Sequence, residues 1–268
     1  MARPKISVVV PTKNSAKTLA ACLKSIKSQT CKDYELIIVD GLSTDGTVDI
    51  SRRYADGVIS DGNGVSASRN AGFAISRGDV FVSIDSDMVV DKDLFEDITK
   101  NIKGHGALVL PEIGSGTSFI SRCKDLEKRC YLGEDFSESA RAFTKEAFNE
   151  VGGYDPTLRF GEDFDIHSRI KARHIIGRTR AMLHHDNDSF DFIANLRKAY
   201  RYGHSAPRYL AKGHEGTKKA LLDLRHTFFI RHFTKLAREP VYGMGLSIIK
   251  IMEYCAGFAG FFACKLGF

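Results

Sequence analysis

The chain has 268 residues, 43% of them apolar and 27% charged, with 24 glycines, 6 prolines and no tryptophan. That composition excludes a disordered chain and a fibrous repeat, and the length suits one sizeable core with a smaller appendage. The formal net charge of +6 is unevenly placed: residues 1–194 carry 26 Lys and Arg against 29 Asp and Glu, whereas residues 195–238 carry 11 against 2. By charge alone the second block suits nucleic acid, membrane headgroups or plain solvent.

In chain order, residues 6–10 form a β-branched run, as expected of a strand covered on both faces. Asn14 or Ser15 can cap a helix whose apolar Leu19, Cys22, Leu23 and Ile26 recur at steps of three and four. Residues 34–39 read as a second strand, and Thr44 or Asp45 caps a second helix. Residues 58–60 and 80–84 read as strands flanking a helix over 65–76. This alternation predicts an α/β fold with a Rossmann-like, mainly parallel, doubly wound sheet and helices on both faces. Beyond residue 105 the pattern gives strands over 107–110, 140–143 and 180–183, and helices over 119–132, 145–151 and 162–172. The charge shift near residue 190 divides a domain of residues 1–194 from a helical C-terminal region of residues 195–268, basic and then apolar.

Six cysteines show neither a C-x-x-C pair nor zinc-site spacing and read as reduced thiols. The apolar run before Pro11 is too short for a signal-peptide core, so the domain is expected in the cytoplasm.

In doubly wound sheets ligands bind beyond the carboxyl ends of the strands. That rim collects Pro11, Thr12 and Asn14 after the first strand, Asp40 after the second, Asp61 after the third and Asp85-Ser86-Asp87 after the fourth. Asp40 is placed to accept hydrogen bonds from a base or ribose. No Gly-x-Gly-x-x-Gly fingerprint follows the first strand, and there is no Gly-Lys-Ser/Thr P-loop. Two carboxylates two residues apart, at Asp85 and Asp87, either cap the next helix or converge on one hard divalent cation, Mg²⁺ or Mn²⁺, able to bridge diphosphate oxygens. Arg69 either sits on the surface or reaches such a diphosphate. Glu162-Asp163, opening a helix after Gly161, either complement the helix dipole or supply an ionised general base.

Val8-Val9-Val10-Pro11-Thr12-Lys13-Asn14, Ile38-Val39-Asp40-Gly41-Leu42-Ser43-Thr44-Asp45-Gly46-Thr47, Ser68-Arg69-Asn70-Ala71-Gly72, Gly78-Asp79-Val80, Asp85-Ser86-Asp87 and Gly161-Glu162-Asp163 resemble, in order and spacing, the family 2 glycosyltransferases of the GT-A fold. The resemblance implies inverting transfer of a sugar from a nucleotide-diphospho-sugar, a UDP- or GDP-sugar. On the matching positions it implies that Thr12 and Asp40 contact base and ribose, and that Arg69 lies near the nucleotide. Asp85 and Asp87 would hold the metal and diphosphate, His184 would approach the metal, and Asp163 would be the base toward the acceptor. Gly41 stands where many members carry a second acid. Without tryptophan the Gln-x-x-Arg-Trp signature of processive synthases is absent, which favours a single addition. A lipid-phosphate acceptor, already anionic, would need no base and would leave Asp163 an orienting role. The other readings are a sugar-1-phosphate nucleotidyltransferase, opposed by the missing Gly-rich loop, and a non-catalytic nucleotide-binding membrane adaptor, opposed by Asp85, Asp87 and Asp163.

Residues 241–268 are rich in apolar side chains, but the uncharged run over 254–264 is about half the ~20 residues a spanning helix needs, and Lys250 and Glu253 precede it. The expectation is an interfacial or re-entrant helix with the basic block on anionic headgroups. This makes a peripheral or monotopic enzyme at the cytoplasmic face of a membrane, with a lipid-linked or glycan acceptor and no nucleic-acid partner. Glycines at 243, 245, 257 and 260 equally permit a core helix or a homodimer contact.

Overall fold

β1 (Ile6–Thr12) and β2 (Tyr34–Asp40) run parallel in the computed structural model, with Val8 opposite Leu36 and Thr12 opposite Asp40. The structure describes residues 4–134, 138–158, 161–186, 191–211 and 228–266. Phe160 and residues 212–227 of the basic block lie outside these. Successive side chains of β1 and β2 enter different cores. Ile6, Val8, Val10, Leu36 and Ile38 pack into one, Val9, Ile37 and Val39 into the other. This period of two, buried on both sides, is what the continuous apolar runs require.

The first core is closed by α1 (Leu19–Lys27), α2 (Thr47–Tyr54) and α4 (Leu94–Asn101), through residues such as Leu23, Ile50 and Phe95. On the opposite face lie α3 (Val65–Ile75), α6 (Lys145–Glu150) and α7 (Glu162–Lys171). A Cβ on Gly72 of α3 would lie 2.4 Å from Val9 Cγ1, so only glycine lets this helix seat on β1.

β3 (Gly57–Ser60), β4 (Val80–Ser83), β6 (Ala107–Val109), β8 (Ala140–Thr144) and β9 (Ile176–Arg178) complete a seven-stranded sheet of order β3-β2-β1-β4-β8-β6-β9. Only β8 is antiparallel to its neighbours, so the sheet is mainly parallel and doubly wound, as expected. β5 (Met88–Val90) pairs antiparallel with β10 (Leu183–Asp186). β7 spans Glu112–Ser115.

Some local expectations need correction. α1 begins at Leu19 with Thr18 at its N-cap, and neither Asn14 nor Ser15 caps it by side chain. Asn14 has φ 51° and its side-chain Oδ1 accepts from Thr44 N at 2.9 Å. α2 begins at Thr47 with Gly46 at its N-cap, so neither Thr44 nor Asp45 occupies that position, although Asp45 Oδ1 accepts from Thr47 N at 3.0 Å. The strand expected over 180–183 begins only at Leu183, because Arg180 N and Ala181 N bond Asp97 Oδ2 (2.6 and 2.9 Å) and Met182 N bonds Asp91 Oδ2 (2.8 Å). His184 and His185 are therefore strand residues rather than loop residues.

The chain divides into two compact units, one of Met1–Glu112, Ser139–Thr157 and Glu162–His185, the other of Ile113–Glu138, Leu158–Gly161 and Asp186–Phe268. Two segments of the second unit precede the charge shift near residue 190. Its described helices are α5 (Phe119–Tyr131), α8 (Phe192–Ala211), α9 (Phe228–Arg231), α10 (Phe233–Arg238) and α11 (Pro240–Leu266). Cys123, Leu126 and Cys130 of α5 pack with Leu236, Leu246 and Ile249 in a core of its own. All six cysteines are free.

Candidate active site

Parallel pairing brings the carboxyl ends of β1, β2, β3 and β4 to one rim, and the polar residues expected there are present. A cleft of about 220 Å³ opens between the loops, lined by Pro11, Thr12, Gly41, Gly62, Gly64 and Ser68 among others. Asp40, 2% exposed, accepts from Thr12 Oγ1 at 3.1 Å, Ser43 N at 2.8 Å and Ser43 Oγ at 2.6 Å. Its carboxylate thus ties the first two loops together beside the cleft. Asn14 fastens the same loops from the other side, donating its N–H to Ser43 Oγ at 2.8 Å. Asp61 accepts from Asn63 N and Nδ2 at 2.9 and 2.8 Å, folding the third loop on itself.

Beyond these loops lies a denser charged cluster. Arg69, on α3 and 2% exposed, donates from Nη2 to Asp85 Oδ1 at 3.0 Å and from Nη1 to Asp163 Oδ1 at 2.8 Å; Nη1 also lies 3.4 Å from Glu162 Oε1. The guanidinium stands 5.0 Å from the ring centroid of Tyr154, a cation–π contact. The second oxygen of Asp85 faces Arg141 Nη1 at 3.1 Å, and Arg141 Nε donates to Glu112 Oε1 at 2.6 Å. One carboxylate is therefore held between two buried guanidinium groups.

These contacts set the protonation states. Burial disfavours charge on Asp85, but Arg141 and Arg69 outweigh it and hold the carboxyl well below the usual range. Burial likewise opposes charge on Arg69, and Asp163 more than compensates. Glu162 moves the other way: burial, reinforced by the charge on Asp163, pushes its pKa up. Burial would raise Asp87 too, but its hydrogen bond with His185 prevails and lowers it.

His184 and His185 follow the strand alternation of β10. His184 Nε2 lies 2.8 Å from Asp91 Oδ1, while His185 Nε2 lies 3.2 Å from Asp87 Oδ2. The histidine brought to the Asp-x-Asp is His185, not His184. Among the described residues no group of three or more His, Cys, Asp or Glu side chains is arranged to hold a metal ion. At this strand end Asp87 offers a carboxylate oxygen and His185 Nε2, 3.2 Å from it, an imidazole nitrogen; these two could hold a divalent cation, with Mn²⁺ better matched than Mg²⁺ to the nitrogen donor.

Arg69, Asp85 and Asp163 thus come together, while Pro11, Thr12, Asn14, Asp40 and Asp61 form the neighbouring loops. Arg141, Glu112, Tyr154 and His185 were not assigned from sequence. Arg141 did carry a signal: an arginine inside the apolar run Ala140–Thr144 demands a buried counter-charge.

The model of the family described as glycosyl transferase family 2 matches residues 7–153. A PGL/p-HBAD biosynthesis glycosyltransferase of Mycobacterium bovis is 31% identical over 182 residues, 63% of this chain and 70% of its own length. A cholesterol galactosyltransferase of Borreliella burgdorferi is 37% identical over 98 residues, 34% of this chain and 27% of its own. Among solved structures, a mannosyltransferase from Pyrobaculum calidifontis in complex with GDP-Man and Mn²⁺ superposes with a TM-score of 0.66 at 17% identity, covering 99% of this chain and 88% of that one. TarS 1-349 of S. aureus in complex with UDP-GlcNAc gives 0.58 at 17% identity, over 98% and 92%. At these identities the structural likeness concerns the fold.

Proposed function

The chain belongs to glycosyl transferase family 2, and we propose that it moves one sugar, with inversion, from a UDP- or GDP-sugar to a lipid-linked acceptor at the cytoplasmic face of a membrane. The observation that carries this reading is the Arg69 bridge, which sets Asp85 and the Glu162-Asp163 pair around one guanidinium beside the strand-end cleft.

The nucleoside occupies the cleft, in contact with Pro11, Thr12 and Asp61, with Asp40 and Asn14 keeping its two walls in register. Arg69 and Arg141 place positive charge beside the diphosphate, and Asp85 orients both. Asp87 with His185 would hold a divalent cation there. Such a cation supplies charge neutralisation for the leaving diphosphate. Asp163 accepts the proton of an acceptor hydroxyl as it attacks the anomeric carbon from the opposite face. Glu162 lies beside it, its pKa pushed up by burial and by the charge on Asp163. A single base suffices for inversion, in contrast to the carboxylate pair of a glycosidase.

A lipid acceptor is supported by the relative named for galactosylating cholesterol and by the apolar C-terminal helix, the one described helix long and apolar enough to cross a membrane. The test is a panel of UDP- and GDP-sugars with Mn²⁺ or Mg²⁺, scored first by thermal shift and then by release of nucleoside diphosphate in the presence of polyprenyl phosphate or sterol. The expected result is a stabilising donor and a glycosylated lipid. Release of pyrophosphate from a sugar-1-phosphate and a nucleoside triphosphate would overturn it, as would donor binding without transfer to any acceptor.

A further inference from the structure

Lys250 and Glu253, the charges that interrupt the apolar C-terminal sequence, do not face outward. Lys250 Nζ donates to Glu127 Oε1 of α5 at 2.7 Å and to Glu253 Oε2 at 3.0 Å, and Lys124 of α5 reaches Glu253 Oε1 at 3.1 Å and also Glu127. Asn195 of α8 adds a hydrogen bond to Glu253 Oε1 at 2.7 Å. This network is internal to the second unit, and it occupies the same side of α11 as buried Leu246, Ile249, Gly257 and Gly260.

The opposite side is an apolar stripe. Val241, Met244, Ile248, Ile251, Cys255 and Phe262 recur at steps of three, four and seven, which places them on one face of a helix, and all are exposed, Met244 to 64%. The stripe continues into a groove of about 440 Å³ in which Met244 and Ile251 meet Phe233 and Leu236 of α10. Exposed Arg238 just before α11 and exposed Lys265 near its end put a cation at each extremity.

We infer that α11 lies in the plane of an anionic lipid surface, its exposed stripe immersed in the acyl boundary and its charged side held on α5 and α8. This deepens the membrane reading above and stands independently of sugar transfer. At 27 residues the helix is about 40 Å long, enough to cross a ~30 Å hydrocarbon layer, so length does not decide between lying and spanning. What decides is what α11 would take with it. A Cβ on Gly260 would come within 2.0 Å of Tyr200 O, and one on Gly203 within 1.8 Å of Gly257 O, so α8 and α11 touch backbone to backbone. α8 exposes Arg197, Lys198 and Arg201, and α5 carries Arg122, Lys124, Asp125, Glu127, Lys128 and Arg129. Carrying exposed charges of this kind to a bilayer centre is costly. Immersing only the stripe incurs none of that cost, and the cations at both ends then meet anionic headgroups.

The test uses the full chain added to preformed vesicles of phosphatidylcholine with and without phosphatidylglycerol. Flotation is expected to depend on the anionic lipid. Single cysteines introduced as Val241→Cys or Leu266→Cys, in a background lacking Cys31, Cys255 and Cys264, should both react with an impermeant maleimide before the vesicles are lysed. Reaction of the residue-266 cysteine only after lysis would mean a spanning helix and overturn the inference. Ile248→Glu combined with Ile251→Glu should cut the floated fraction about tenfold while leaving thermal melting and nucleotide-sugar hydrolysis in detergent at the parent's values. Unchanged flotation of that variant would overturn it. So would a chain that stays in solution as a dimer dissociated by Ile248→Glu, since a second copy would then cover the stripe. Hydrolysis by the parent chain reports separately on the active-site reading.

Discussion

Arg69 Nη1 donates to Asp163 Oδ1 over 2.8 Å, joining residues 94 positions apart in the chain. Through the same guanidinium the fourth strand's end and the start of α7 share one buried cation, so the acidic motifs form one electrostatic unit.

Removing that cation should cost both stability and function. Arg69→Ala leaves Asp85 and Asp163 without their shared buried partner, a loss of about 3–5 kcal/mol by the usual cost of breaking a buried ion pair. Arg69→Lys restores the charge but cannot present two nitrogens in a fixed fork, so a partial loss is expected. Urea unfolding of the three proteins checks the order wild type, then Lys, then Ala.

Asp163→Asn should leave donor affinity close to wild type and lower turnover on a hydroxyl acceptor by about 10²–10⁴-fold, the range for removal of a general base. Isothermal titration with the nucleoside diphosphate, set beside steady-state rates, separates the two effects. Wild-type turnover in this variant would remove Asp163 from the chemistry.

The two histidines of β10 should behave differently. His185→Ala should weaken Mn²⁺ affinity in the presence of nucleoside diphosphate by about 10–100-fold, as for loss of a metal-directed partner, whereas His184→Ala should leave it within about twofold. Electron paramagnetic resonance of free Mn²⁺ reads both. The reverse pattern would return the metal role to His184.

The pH dependence of stability should carry two opposite contributions. Burial opposes ionisation of Glu127, but Lys124 and Lys250 prevail and lower its pKa from 4.5. It therefore stabilises the fold above that value and loses its contribution as pH falls through the lower folded pKa. Glu162 is shifted up from 4.5, so its contribution is full below that value and is lost as pH rises through the folded pKa. Glu127→Gln should flatten the acid side of a urea-midpoint profile. Glu162→Gln should gain relative to wild type on moving from acid to neutral pH.

What could be read in advance was local. The runs at Ile6–Thr12 and Tyr34–Asp40, the helical spacing of Leu19, Cys22, Leu23 and Ile26, and the acids at strand ends each lie within one short window. The insertion of antiparallel β8 between β4 and β6 was not legible, because pairing partners tens of residues apart leave no mark on either run. The same distance hid the joint hold of Arg69 and Arg141 on Asp85. Which histidine faces Asp87 turned on a single residue of strand placement, and the amides that fix that placement bond to Asp97 and Asp91, 83 and 91 positions earlier.

Asp91 and Asp97 thereby act as a gauge for β10. By tethering the three amides just ahead of Leu183, they decide which imidazole is delivered to the Asp-x-Asp. A one-residue deletion within 179–182 would carry Asp186 to the place of His185 beside Asp87 while leaving Asp87 itself unchanged. Damage of this kind, remote from the nucleotide, would register in an assay as a lost ligand.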